Sequence, residues 1–136
     1  MSNANATEQP GTVIPALLLI EDDPAVAAFI QEALEMFFSV DVLVARTADQ
    51  ARRLWRQQRE SLIVAILSDL NLPGESGLSV VYELTRERAN VLVVFATGDS
   101  HRQPEILARI GAAVRVLPKP FRPSELRGVF EAILPA

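Results

Sequence analysis

The most constraining feature of this 136-residue chain is a set of short, almost uninterrupted apolar runs. They are Leu17-Leu18-Leu19-Ile20, Leu62-Ile63-Val64-Ala65-Ile66-Leu67, Val91-Leu92-Val93-Val94-Phe95-Ala96 and Val114-Arg115-Val116-Leu117, and helical periods separate them. A run that is apolar at consecutive positions suits a strand buried on both faces, which means a parallel sheet covered by helices on each side. Residues 41–45 form a weaker, more alternating run and read as a short edge strand. The expected architecture is α/β, a doubly wound five-stranded parallel sheet with five helices. The pattern leaves the strand order open.

The helices follow from caps and periodicity. Asp23 is placed to cap the first helix and Pro24 to occupy its first position, with Val26, Phe29, Ile30, Ala33, Leu34 and Phe37 on one face and an end near Phe38. Thr47-Ala48-Asp49-Gln50 has capping-box spacing and opens a second helix to about Gln58. Residues 71–77 are turn chemistry that continues neither element, and a third helix is expected over residues 78–88. A fourth falls near residues 101–110 and stops at Gly111. The last begins at Pro123-Ser124-Glu125, with Leu126, Val129, Phe130 and Ile133 as its buried stripe. Residues 1–15 read as a flexible leader without apolar periodicity, so the folded domain is expected over residues 16–136.

What stands at the end of each apolar run points to chemistry. The first leads into Glu21-Asp22-Asp23, the second into Ser68-Asp69, the third into Thr97 and the fourth into Pro118-Lys119. Parallel strands bring their C-terminal ends to one edge, so carboxylates, a hydroxyl and an ammonium gather there. Lys119 is the only lysine among 13 basic residues. A compact ammonium serves that edge differently from a planar guanidinium.

Composition excludes several alternatives. With 49% apolar and 22% charged residues, the chain has the makeup of one globular domain. It has no cysteine, which rules out disulfides and thiolate metal sites and suits a reducing cytoplasm. The apolar runs fall well short of the roughly 18 residues of a membrane span. The net charge is -4, with eleven acids against five bases in residues 1–75 and six against eight in residues 76–136. That asymmetry is too dispersed for a nucleic-acid surface.

Taken together, Leu19-Ile20-Glu21-Asp22-Asp23-Pro24, Ser68-Asp69-Leu70-Asn71-Leu72-Pro73-Gly74, Ala96-Thr97-Gly98 and Leu117-Pro118-Lys119-Pro120-Phe121 resemble the receiver domain of bacterial two-component response regulators in order and approximate spacing. The resemblance covers almost everything from Ala16 to Leu134. It implies a flavodoxin-like sheet and an aspartate phosphorylated by a histidine kinase or histidine phosphotransfer protein. By position it makes Asp69 the phosphoacceptor, Thr97 the switch hydroxyl and Lys119 the family's lysine. Glu21, Asp22 and Asp69, with the Asn71 backbone carbonyl, become the holders of Mg2+. An aspartyl carboxylate is a weak nucleophile, so transfer relies on positioning and charge neutralisation, which an octahedral, oxygen-liganded magnesium supplies. Further implied partners are an output protein and a second copy meeting through the face of the fourth helix, fifth strand and fifth helix.

Other residues carry plainer readings. Asp23 is a helix cap before it is a metal ligand, and Trp55 is a core residue before it is a contact surface. Asp99 either orients water or caps the next helix. His101 reads as a solvated helix-start residue. Gly98 keeps the backbone beside Thr97 open. Two features depart from the family pattern. Val116 stands where many receivers have an aromatic three residues before the lysine, so the usual ring swing is lost. The sequence also reads as either a free-standing regulator or a receiver from a larger protein. Two other functions use the same fold, a phosphorylation-independent adaptor and a small phosphatase with Asp69 as nucleophile. The phosphatase lacks an acid at position 71, where Asn71 stands.

Overall fold

The apolar runs become strands of one sheet, the first three of them interior and the fourth, Val114–Pro118, at its edge. A computed structural model describes residues 14–57, 63–86, 88, 90–98 and 114–136. The strands are β1 (Ala16–Ile20), β2 (Asp41–Ala45), β3 (Ile63–Asp69), β4 (Asn71–Leu72), β5 (Glu75–Ser76), β6 (Leu92–Thr97) and β7 (Val114–Pro118). The helices are α1 (Pro24–Phe37), α2 (Ala48–Gln57), α3 (Gly77–Thr85) and a C-terminal helix, Pro123–Phe130. The fourth helix expected near residues 101–110 lies outside the described residues, as do Asp99 and His101.

Five strands pair in the order β2-β1-β3-β6-β7, every pair parallel. All of β1 is buried, as a strand flanked on both sides and covered on both faces must be. From β1 the chain adds β2 on one side and then β3 on the other. The winding therefore reverses between β1 and β3, and the crevice beyond their C-terminal ends is where such sheets bind ligands. Register sets the residues there: Ile20 pairs with Ser68 and Asp69 with Ala96, so Glu21 and Asp69 emerge side by side.

Alternation along the strands divides the core in two. Leu18, Ile20, Ile66, Val93 and Phe95 pack with Ala51, Trp55, Val81 and Leu84 of α2 and α3. Leu17, Leu19, Leu67, Val94 and Leu117 pack with Ile30 and Leu34 of α1 and with Leu126 and Phe130 of the C-terminal helix. Each fully buried leucine or phenylalanine contributes roughly 1.5–3 kcal/mol. The Trp55 ring is buried, as expected, with the Arg88 guanidinium 4.2 Å above it.

Several expectations need correction. Phe29 is exposed on α1, because Ala27, Ile30, Ala33 and Leu34 face the sheet and leave the ring to meet Phe121 at 6.3 Å. Ile133 is also exposed: the last helix ends at Phe130, and Leu134 enters the core in its place. The third helix starts at Gly77 and stops at Thr85, with Arg86 as its C-cap. The segment read as a turn contains a small antiparallel ladder, Asn71 opposite Ser76 and Leu72 opposite Glu75, closed through Gly74 at φ 78°. That left-handed conformation suits glycine.

Candidate functional site

The strand ends converge as their spacing predicts. Glu21 and Asp22 follow β1, Asp69 ends β3, Thr97 ends β6 and Lys119 follows β7. The Lys119 ammonium lies 3.2 Å from Asp69 Oδ2 and 3.4 Å from Glu21 Oε1, joining groups 50 and 98 residues away in sequence. The backbone fixes this reach, since Lys119 N–H donates to the Thr97 carbonyl at 2.8 Å. Thr97 itself is buried at the edge.

Asp69 is held from its own side of the cleft. The Asn71 N–H donates to Asp69 Oδ1 at 3.1 Å, leaving Oδ2 to Lys119. Ser68, which the sequence presented only as the residue before the acid, donates its hydroxyl to the Asp69 carbonyl at 2.8 Å. Gly77 is tighter still. A Cβ at that position would sit 1.9 Å from the Asp69 carbonyl oxygen, so α3 can approach the strand end only with glycine there. Its N–H also donates to the Leu70 carbonyl at 2.7 Å. A glycine closing a turn was the sequence signal, but not the contact behind it.

On the β1 side, Glu21 is only 2% exposed, and its Oε2 accepts from the Asp23 N–H at 3.2 Å. Burial raises the Glu21 pKa above its usual value, and Asp69 adds to this, against the opposing pull of the Asp23 N–H and Lys119. Lys119 experiences the reverse balance. Burial works to lower its pKa, but the charges of Asp69 and Glu21 prevail and hold it above the ordinary lysine value. Asp23 plays the helix-capping role expected of it, with Oδ1 accepting from Ala25 and Val26 N–H at 2.9 and 3.2 Å. Arg46, which the sequence did not single out, donates from Nε to the Asp22 carbonyl at 3.1 Å and braces that loop.

One oxygen from each of Glu21, Asp22 and Asp69 lies within 4.8 Å of the other two. A cluster of oxygen donors alone, with no nitrogen or sulfur, suits a hard divalent cation. The donor set can therefore hold a metal ion. Beside Lys119, Val26, Phe29, Pro120 and Phe121 line a mainly apolar hollow of about 350 Å³. Val116 is partly buried and packs toward the core beneath α2 and α3, while Gly98 has open space where a Cβ would stand. Among the described residues, no helix is long and apolar enough to cross a membrane.

Comparison with known proteins agrees with this geometry. A family model described as the response regulator receiver domain matches residues 17–131. Protein PetR of Rhodobacter capsulatus is 36% identical over 121 residues, covering 88% of this chain and 48% of PetR. The chain thus spans about half the length of that relative. A response regulator receiver domain protein from Clostridium thermocellum superposes with a TM-score of 0.76 at 23% identity, over 88% of this chain and 93% of the other. The response regulator TrrA from Thermotoga maritima, solved in complex with Mg2+ and BeF, gives a TM-score of 0.75 at 19% identity, over 89% of this chain and 100% of TrrA. At these identities the structural matches speak for the fold.

Proposed function

This chain is a receiver domain of the two-component response regulator family, and on that premise we propose that Asp69 accepts the phosphoryl group, with Mg2+ held by Glu21, Asp22, Asp69 and the Asn71 carbonyl. The observation that carries the reading is Lys119, whose ammonium touches both Asp69 and Glu21 at the winding reversal of the sheet. The phosphodonor is a histidine kinase or histidine phosphotransfer protein in the cytoplasm. An Asp69 carboxylate oxygen forms the new O–P bond as the donor's N–P bond breaks, and the imidazole departs. Magnesium, when bound, neutralises charge on the phosphoryl oxygens and orients them.

The protein's own groups do the rest. The Asn71 N–H engages one Asp69 oxygen and fixes the carboxylate's orientation. Lys119 reaches a phosphoryl oxygen from the position where it now meets Oδ2. Thr97 donates its hydroxyl to the phosphoryl group and links chemistry to shape. The apolar hollow beside Lys119 receives the donor's surface. Output passes to another protein, or to a second copy, through the face that includes β7 and the C-terminal helix. The domain assists its own phosphorylation and dephosphorylation by holding these groups in place.

Calorimetry with magnesium and beryllofluoride tests the assignment. The wild type should bind the two together, and Asp69→Asn should lose the beryllofluoride. Equal binding by the variant would move the phosphoacceptor elsewhere.

A further inference from the structure

Arg52 lies outside the carboxylate cluster, yet it is tied to three parts of the fold. From α2 its Nη1 donates to Asp49 Oδ1 at 3.0 Å. Its Nε and Nη2 grip Glu83 of α3 at distances of 3.0 to 3.2 Å. Its Nη2 also meets Glu75 of β5. The Arg52 side chain is only 19% exposed.

The Glu83 bond staples α2 to α3, and for that purpose Glu75 is unnecessary. Glu75 belongs to the β4–β5 hairpin, whose other strand carries Asn71. A ladder of two residues per strand has little stability of its own and takes its position from outside contacts. One such contact is Gly77 N–H to the Leu70 carbonyl, and another is Arg52 to Glu75. The hairpin's placement in turn decides where the Asn71 N–H meets Asp69.

We propose that Arg52 is a positioning residue for the phosphoacceptor site: through Glu75 it holds the hairpin so that Asn71 presents its N–H to Asp69 and its carbonyl to the metal. This rests on the reading of Glu21, Asp22 and Asp69 as a magnesium site. Groups that orient metal ligands from behind commonly affect affinity by about 10- to 100-fold.

Magnesium titration by calorimetry on Glu75→Ala and Glu83→Ala tests it, since each variant removes one carboxylate from Arg52. Glu75→Ala should raise the magnesium dissociation constant about tenfold. Glu83→Ala should lower the melting temperature but keep the magnesium constant within about twofold. Glu75→Gln removes the charge but keeps an acceptor for Arg52, and should recover most of the affinity. A purely long-range charge effect would affect Glu75→Gln and Glu75→Ala alike, which would overturn the proposal, as would equal shifts in Glu75→Ala and Glu83→Ala. Should Glu75→Ala fail to fold, Glu75→Ser and Glu83→Ser must show the same contrast. A wild type that binds no magnesium would overturn the underlying site. A wild type that binds it as Glu75→Ala does would overturn only the role of Arg52.

Discussion

Replacing Lys119 by methionine keeps most of the side chain's length and removes its charge, which separates the two tasks assigned to this residue. The ammonium lies 3.2 Å from Asp69 and 3.4 Å from Glu21. At an effective dielectric of about 20, each attraction amounts to about 5 kcal/mol before desolvation is counted. Breaking a buried pair by removing one partner costs roughly 3–5 kcal/mol in practice. Because the lysine side chain is 28% exposed, the lower end applies, ~3 kcal/mol. At about 4 °C per kcal/mol for a domain of this size, the melting temperature should fall by ~12 °C without divalent cation. Magnesium should then act more strongly on the variant. Three carboxylates without an internal cation attract it more, and at 100 times its dissociation constant it returns about 2.7 kcal/mol. Beryllofluoride loses its ammonium partner and should bind more weakly. Thermal melts across a magnesium titration, followed by beryllofluoride calorimetry at saturating magnesium, measure both effects. A destabilisation below about 1 kcal/mol, or magnesium and beryllofluoride affinities falling together, would refute the reasoning.

The remaining predictions concern the supports of the site. Gly77→Ala drives a methyl group into the Asp69 carbonyl and should cost about 3 kcal/mol in urea denaturation; a near-neutral result would mean that α3 can back away from the strand. The Arg52 hydrogen bond holds the Glu83 pKa below its usual value of 4.5, so its stabilising contribution is present above that pH and is lost as pH falls through the folded-state value. Arg52→Ala should flatten that part of the acid limb of the stability curve, and an unchanged slope would assign the limb to other carboxylates.

The strands and the cluster at their ends were legible for one physical reason. A strand buried on both faces is apolar at nearly every position, so the first polar residues after each run mark the approach to the C-terminal edge of the sheet, even though Ser68 still lies within β3. Glu21, Asp69, Thr97 and Lys119 all stand within two residues of those run ends, and the structure sets the Lys119 ammonium against both Asp69 and Glu21. What periodicity gives for a helix is an angle, and an angle does not identify a neighbour. On α1 the pattern admitted Phe29 to the buried face, but the helix meets the sheet through Ala27, Ile30, Ala33 and Leu34, and the ring turns to Phe121 instead. Charged residues are harder still to place. Arg52 stands in sequence as one arginine beside Arg53 and Arg56, and two of its three partners, Glu75 and Glu83, lie 23 and 31 residues away across a packing arrangement that no local pattern encodes. The same holds for Gly77, whose necessity comes from an oxygen eight positions earlier. The groups proposed to meet the phosphoryl group and the metal therefore sit where chain topology alone delivers them. The groups that set their distances depend on how α2, α3 and the hairpin pack, and chains with the same strand-end residues can differ there. Substitutions in that support should tune metal affinity while leaving the strand-end residues in place.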